Sequence, residues 1–364
     1  MSEKRLWDKL ARNFINAGNI ALPITDTVLE ILKMVITEEQ AEFLLLFKRP
    51  SYTLEEIKDL TDLDDKSLEK MLSVLMHIGV VSGIPSRSTG IIVYRLAAFF
   101  PGVLEYTLMR GETGEKEKKI ARLWENYFDE LAEGTQKNYD TVMSILKNAK
   151  PIERIVPVED KIIIAEESVV PLEEVTKILE KYDSIGLAHC YCRHRKDLLD
   201  DPCKLTDERK NCFALGRSAE FLISQDFAER VSKEDALRIL KECEDAGFVH
   251  KVFHVRFDLE RDEEAICNCC KCCCGTFANH YRGATPLMSL TSYLAKVNKD
   301  DCIGCGTCVE KCNTEAILLE DSTADINEER CIGCGICAHH CPENAINLVR
   351  TGPRNVFVPP PKIS

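Results

Sequence analysis

Residues 301–312 read Asp-Cys-Ile-Gly-Cys-Gly-Thr-Cys-Val-Glu-Lys-Cys, and residues 330–342 read Arg-Cys-Ile-Gly-Cys-Gly-Ile-Cys-Ala-His-His-Cys-Pro. Each cysteine of the first segment recurs 29 residues later in the second, and an Ala-Ile pair follows both segments. Such a repeat predicts two copies of one local structure, each built around four sulfur atoms.

The spacing C-x-x-C-x-x-C-x-x-x-C suits a cubane of four irons and four sulfides, because each iron needs one thiolate. Three close cysteines wrap one face of the cubane, and the glycines between them let backbone amides approach the sulfur atoms. In proteins with two such clusters the fourth cysteine of each run binds the other cluster. A structural zinc site also takes four thiolates, but zinc does not require this three-plus-one spacing twice.

The repeat resembles the bacterial-type ferredoxin domain with two [4Fe–4S] clusters, and the resemblance covers residues 292–350. It implies that cluster one is bound by Cys302, Cys305, Cys308 and Cys341. It implies that cluster two is bound by Cys331, Cys334, Cys337 and Cys312. The family has proline after each fourth cysteine, whereas Asn313 follows Cys312 here. We expect this change to alter the turn and to leave ligation intact.

The composition supports metal ligation by thiolates in a reducing compartment. The chain has 364 residues, a formal net charge of −13 and 19 cysteines, all of which lie between Cys190 and Cys341. Disulfide-rich domains are short and secreted, and the start of this sequence lacks the apolar segment of a secretory leader. No apolar run approaches the length of a membrane span. We therefore expect a cytoplasmic protein, and its acidity disfavours broad nucleic-acid binding.

A second group of ten cysteines precedes the repeat. They are Cys190, Cys192, Cys203, Cys212, Cys267, Cys269, Cys270, Cys272, Cys273 and Cys274. This block resembles segments of large ferredoxin-domain iron–sulfur proteins of strict anaerobes, which implies electron transfer. It predicts one or two additional iron–sulfur clusters, with structural zinc or reactive thiols as alternatives. The remaining cysteine, Cys243, is predicted to be a buried packing residue.

Basic residues flank these cysteines in an otherwise acidic chain. Because a cubane with four thiolates is an anion, nearby cations stabilise it and tune its potential. Arg193, Arg195 and Lys271 are the candidates for this tuning. His189 and His194 are weaker candidates for cluster ligands, since their spacing is not that of a Rieske site.

The N-terminal region is free of cysteine, and its pattern is that of a winged helix. Thr53 and Glu56 form a capping box that opens a short helix, a second helix covers residues 64–78, and strands are expected at 80–81 and 91–96. The second helix carries two bases against three acids, and the wing loop offers only Arg87. Phosphate contacts dominate DNA affinity, so we expect protein docking rather than DNA binding.

The sequence predicts an α+β protein in five parts. Residues 1–110 are the winged-helix-like docking domain, 111–150 a helical connector broken near Gly134, 151–291 an α/β cysteine-rich domain, 292–350 the ferredoxin-like domain, and 351–364 an extended tail. Ten acids against three bases in 300–350 would attract a basic partner.

The predicted function is single-electron transfer between cytoplasmic redox partners of an anaerobe, with an oxidoreductase as the partner. The sequence leaves open whether the chain forms a homo-oligomer. One alternative is a redox-responsive regulator that binds DNA through the winged helix. The other is an oxidoreductase subunit whose middle cluster binds substrate. We find no dinucleotide fingerprint, P-loop or catalytic triad in the sequence, so no catalytic residue is assigned and enzyme activity is undecided.

Overall fold

The structure is a computed structural model that describes residues 3–18, 20, 22–162 and 174–363. The chain divides into two compact units. The first contains Met1–Leu131, Ala188–Pro202 and Arg217–Glu229, and the second contains Ala132–Leu187, Cys203–Gly216 and Arg230–Ser364. Both mix helices and strands, in agreement with the predicted α+β class.

The helices of the described residues are distributed along the whole chain. They are α1 (Glu3–Ala17), α2 (Asp26–Val35), α3 (Glu38–Leu44), α4 (Leu54–Lys58), α5 (Asp65–His77), α6 (Val103–Leu108), α7 (Glu115–Lys137), α8 (Tyr139–Leu146), α9 (Val175–Glu180), α10 (Tyr191–Leu198), α11 (Gly216–Ser224), α12 (Lys233–Ala246), α13 (Gly275–Tyr281), α14 (Thr307–Lys311) and α15 (Ile336–His339).

The strands of the same residues are concentrated in the second half. They are β1 (Tyr52–Thr53), β2 (Val81–Pro85), β3 (Ile92–Leu96), β4 (Glu153–Val156), β5 (Ile185–His189), β6 (Lys210–Leu215), β7 (Ala228–Arg230), β8 (Val249–His254), β9 (Glu263–Cys269), β10 (Leu287–Val297), β11 (Ile317–Glu320), β12 (Thr323–Ile326) and β13 (Ile346–Val358).

The first unit has a helical core and one small sheet. Helix α1 buries Leu6, Trp7, Leu10, Ala11 and Phe14, at the three- and four-residue spacing of an amphipathic helix. The core centres on Trp124, whose ring lies 5.1 Å from that of Phe99. The small antiparallel sheet has the strand order β1-β3-β2, in which β1 precedes α4 and the hairpin of β2 and β3 follows α5.

The predicted order of helix, turn, helix and hairpin is present in this unit. The capping box forms as expected: the amide of Thr53 donates to Glu56 Oε2 over 2.9 Å, and the amide of Glu56 donates to Thr53 Oγ1 over 3.3 Å. The predicted break near Gly134 is wrong, because α7 runs on to Lys137. A single glycine costs a helix only about 1 kcal/mol, and the helix ends before Asn138 instead.

The second unit is built on one mixed sheet with the strand order β13-β10-β4-β8-β9-β6, which continues with β5 and β7. Strands β10 and β13 pair antiparallel from Leu287 with Val358 to Val297 with Ile346. The segment predicted as an extended tail is therefore a strand as far as Val358, because its backbone pairs with that of β10. The sheet places the cysteine-rich loops after β9 and the repeat between β10 and β13 in one unit.

Candidate metal centres

The two repeat segments form loops with the same backbone conformation. The first glycines, Gly304 and Gly333, have φ values of 65° and 64°, and the second glycines have 81° and 82°. A Cβ atom on Gly304 would lie 2.2 Å from the carbonyl oxygen of Ser322, and one on Gly333 would lie 2.2 Å from that of Tyr293. Both loops thus need glycine for its positive φ and for this close approach.

The cysteines of the first loop line one pocket together with a cysteine of the second. Cys302, Cys305 and Cys308 share this pocket with Cys341, the fourth cysteine of the other segment. The structure thus brings together the four thiols that the sequence groups as cluster one. Their sulfur atoms face a common space that no single stretch of the chain encloses.

The other four thiols are more deeply buried. Burial, together with the neighbouring thiols of Cys312 and Cys331, raises the pKa of Cys334 to about 12. Burial also raises the pKa of Cys337, with contributions from the same three thiols. Four buried thiols cannot all ionise beside one another without a cation, so this donor set fits a positively charged iron core.

Backbone amides point at the fourth cysteine of each segment. The amide of Ala316 donates to Cys312 Sγ over 3.2 Å, and the amide of Ala345 donates to Cys341 Sγ over 3.3 Å. The amide of Ala324 also lies 3.5 Å from Cys302 Sγ. Hydrogen bonds to the charged form stabilise a thiolate. Backbone amides of the repeat itself therefore stabilise the negative charge of these thiolates.

The two loops differ in exposure although they share one conformation. Cys305 is exposed, and its hydrogen bond with the side chain of Thr307 lowers the pKa of its thiol. The apolar side chains of Ile303 and Leu319 are also 63% and 43% exposed. In the second loop, Cys331 and Cys337 are buried. Cys305 is therefore the thiol of the repeat that a partner can approach.

Asn313, which departs from the family pattern, links the repeat to the cysteine-rich loop. Its Oδ1 accepts a hydrogen bond of 2.8 Å from the amide of Lys271, and its Nδ2 donates over 3.3 Å to the carbonyl of Gly247. The hydroxyl of Tyr281 donates to the carbonyl of Asn313 over 2.9 Å. Proline could make neither side-chain bond, so the asparagine connects two elements.

Four cysteines of the middle block converge on one point, and we call them the Cys203 group: Cys203, Cys270, Cys272 and Cys273. Their sulfur atoms all lie within 4.8 Å of one another. Cys203 Sγ is 3.9 Å from Cys270 Sγ and 3.8 Å from Cys272 Sγ, and Cys272 Sγ is 3.5 Å and 3.6 Å from Cys270 and Cys273. In the described part of the chain, no other set of three or more His, Cys, Asp or Glu ligand atoms is this compact.

Two other cysteines, Cys269 at the end of β9 and Cys274 just before α13, lie near a buried lysine, Lys251. Lys251 Nζ lies 2.7 Å from Glu153 Oε1 and 2.7 Å from Thr276 Oγ1. Burial alone would lower the pKa of Lys251, but Glu153, and then Cys274 and Cys269, raise it, so the ammonium keeps its charge. Cys267 packs in the same core cluster as Cys269 and Cys274.

Sequence reasoning missed Lys251 and Glu153. The signal was available, because Lys251 stands between apolar Val249 and Phe253 at alternate positions of the sequence, which is the spacing of one face of a strand. A lysine there must be buried, and a buried lysine needs an acid or an anionic centre.

The remaining cysteines of the block lie elsewhere. Cys190 and Cys192 are buried at the start of α10 in the first unit, and Cys212 is half-buried in β6 of the second. Cys203 joins the loop after β9, although the sequence suggests a run with Cys190 and Cys192. Cys243 is buried as predicted and packs against members of the Cys203 group.

The predicted tuning residues have protein partners. Arg195 forms an ion pair with Glu125, and its guanidinium lies 4.9 Å from the centre of the Phe128 ring. Lys271 forms an ion pair with Glu315. Arg193 is buried in α10.

The candidate histidine ligands are also engaged. His194 Nε2 bonds to the carbonyl of Glu112 over 2.7 Å, and the His189 ring centre lies 6.4 Å from that of His194. His339 and His340, which stand between cysteines of the repeat, bond to Asp245 and to the carbonyl of Glu244 in α12. The repeat is thereby anchored to α12.

Comparison with known proteins identifies one part of the chain. Residues 295–348 match the family described as a 4Fe-4S dicluster domain. No curated protein and no solved structure matches the chain. None of the helices in the described residues combines the length and apolar character that a membrane span requires. The chain therefore contains a dicluster ferredoxin domain and, in its middle, a compact cysteine cluster.

Proposed function

We propose that this chain is a multi-cluster iron–sulfur protein that passes single electrons between cytoplasmic redox partners of an anaerobe, as a carrier or as the electron-transfer subunit of an oxidoreductase. The observation that carries the proposal is the pair of loops of equal conformation in residues 295–348, each of which presents cysteines to a common space. A [4Fe–4S] cluster held there would accept and release one electron at a time.

The repeat supplies the ligands in an interleaved arrangement. Cluster one would be held by Cys302, Cys305, Cys308 and Cys341. Cluster two would be held by Cys331, Cys334, Cys337 and Cys312. The amides of Ala316 and Ala345 would stabilise the fourth thiolate of each set.

Electrons would enter or leave at the first loop. Exposed Cys305 is surrounded by apolar Ile303 and Leu319, and exposed acids border the same region, among them Glu320, Asp321 and Glu343. An apolar centre with an acidic rim favours a partner with a basic rim, because complementary charge speeds encounter. The predicted partner is an oxidoreductase with such a surface.

One or two additional clusters would lie in the middle block. Cys267, Cys269 and Cys274 are the strongest candidates, because the buried ammonium of Lys251 compensates a negative centre beside them. Cys190, Cys192 and Cys212 are the other candidates. Arg193, Arg195 and Lys271 would adjust the local charge less directly, since Arg195 and Lys271 already pair with carboxylates.

The division into five parts completes the proposal. Residues 1–110 would form a winged-helix-like docking domain and 111–150 a connector. Residues 151–291 would hold the additional metal, 292–350 the two clusters, and 351–364 the tail. The helix–turn–helix and hairpin of α4, α5, β2 and β3 support the first of these.

The test is anaerobic measurement of iron and acid-labile sulfide, with EPR of the reduced protein. We expect about eight irons from the repeat, plus those of any additional cluster. Cys312→Ala should abolish the signal of the buried cluster and spare that of the cluster at Cys305. Cys243→Ala, the matched control, should change neither.

Fewer than about four irons per chain in protein reconstituted with iron and sulfide would contradict the proposal. Loss of the cluster at Cys305 alone in Cys312→Ala would contradict the interleaved ligand sets.

A further inference from the structure

We propose that the Cys203 group binds a single zinc ion, not a cubane. Zinc bound by four thiolates is tetrahedral with Zn–S bonds of about 2.3 Å, so its sulfur atoms lie about 3.8 Å apart. The Sγ–Sγ distances in the group are 3.9, 3.8, 3.5 and 3.6 Å. Four of the six Sγ–Sγ distances therefore match the edges of a tetrahedron around one ion, and the other two are within 4.8 Å.

The eight thiols of the repeat provide a comparison within the same molecule. In a cubane each thiolate binds a different iron, so the sulfur atoms stand further apart than around one ion. No three of those eight thiols, all of which the structure describes, come within 4.8 Å of one another, whereas all four of the Cys203 group do. The chain thus holds two kinds of four-thiol site.

The surroundings fit a closed structural site. Cys203, Cys270 and Cys273 are buried, with exposures of 8%, 1% and 1%. The amide of Leu205 donates to the thiol of Cys203, and the amide of Lys204 donates to that of Cys272. Amide donors of this kind orient metal ligands and stabilise their charge.

Zinc is the ion that this donor set favours. Four thiolates leave no open coordination position, which is the pattern of structural rather than catalytic zinc. For one set of ligands, affinity is higher for Zn²⁺ than for Fe²⁺. Zinc has no redox chemistry in proteins, so the ion would hold structure and carry no electrons.

The site would join two distant parts of the second unit. Cys203 and Cys270 are 67 residues apart in sequence. The loop that supplies Cys270, Cys272 and Cys273 also carries Lys271, whose amide bonds to Asn313 of the repeat. A zinc ion would therefore fix the loop against which the repeat packs.

The test uses the full chain, produced with both iron and zinc in the medium and then reconstituted anaerobically with excess ferrous iron and sulfide. Elemental analysis should give about one zinc per chain that iron does not displace. Absorption spectroscopy at the zinc edge should show four sulfur neighbours at about 2.3 Å. This measurement needs no variant, so a failure to fold cannot obscure it.

Two substitutions separate the site from the clusters. Cys272→Ser should remove the zinc and leave iron, sulfide and the EPR signals unchanged, whereas Cys305→Ser should affect iron and leave zinc unchanged. Cys243→Ala, next to the group, should keep both. Absence of zinc from the reconstituted wild type would overturn the proposal. A loss of iron in Cys272→Ser would also overturn it, whether or not sulfide is lost with the iron. The electron-transfer proposal would survive that result, because it depends on the iron of residues 295–348.

Discussion

Replacing Lys251 by methionine tests the most deeply buried charge of the second unit. The side chains of Lys251 and Glu153 are 0% and 1% exposed, and their charged atoms are 2.7 Å apart. Methionine keeps much of the length of lysine and removes the ammonium. Glu153 would then keep the hydroxyl of Ser289, which donates to its Oε1 over 2.7 Å, and would lose the opposite charge.

The expected cost is large because water cannot reach the pair. Removing one partner of a buried ion pair destabilises a protein by about 3–5 kcal/mol. A loss of 1 kcal/mol lowers the melting temperature by about 2–4 °C for a unit of this size. We therefore expect Lys251→Met to lower the melting temperature by about 6–20 °C.

The assay is anaerobic calorimetry at one scan rate, with iron and zinc measured in each sample. Lys251→Met/Glu153→Gln should recover most of the loss, because no buried charge is left unpaired. The control is Lys296→Met, since Lys296 and Glu328 form an exposed pair (52% and 61%) that contributes at most about 1 kcal/mol. The reasoning would be refuted if Lys251→Met lowered the melting temperature no more than Lys296→Met does. It would also be refuted if the double variant were as unstable as Lys251→Met.

Three further predictions concern the repeat and its neighbours. Gly304→Ala should lose the iron of cluster one, because the added Cβ would lie 2.2 Å from a carbonyl oxygen. The control is Gly90→Ala, which is also at a positive φ but has open space around it, and it should keep all iron. Asn313→Ala should lower the free energy of unfolding, measured with urea, by about 1–3 kcal/mol, because it leaves a loop amide without its acceptor. The control is Pro342→Ala, exposed at the matching position, which should lower it by less than about 1 kcal/mol. Equal losses in the two variants would contradict the role of the asparagine. Burial lowers the pKa of His280 to about 4, below its value of about 6.5 in the unfolded chain, so its contribution to stability is present above pH 6.5 and is lost as the pH falls towards 4. His280→Gln should flatten that part of the stability–pH curve, and an unchanged slope would contradict the assignment.

Local patterns were sufficient for much of the fold. The capping box at Thr53, the helix predicted after it and the strands around the wing depend on residues within a few positions of one another, so the sequence displays them. The sequence also predicts a strand at 161–165 and a helix at 171–181, of which residues 163–165 and 171–173 lie outside the described residues.

The limits of the sequence are clearest where distant residues meet. The eight cysteines of the repeat could be grouped because their spacing is itself the signal. Nothing in the spacing joins Cys203 to the loop at 270–273, since 67 residues and four strands lie between them. Lys251 shows the same limit, because its acid, Glu153, is in a strand 98 residues away. Such pairings are set by the order of strands in the sheet.

The equal conformation of the two repeat loops gives this molecule an internal reference for redox chemistry. Ligand type, loop geometry and the amides of Ala316 and Ala345 are matched, so they cannot distinguish the two centres. What differs is access of water, which is high at Cys305 and low at Cys331 and Cys337. Water molecules near a centre must reorient when its charge changes, and this reorientation slows electron transfer. The exposed centre would therefore have the larger reorganisation energy. A comparison of the two centres in one chain would measure the effect of solvent alone.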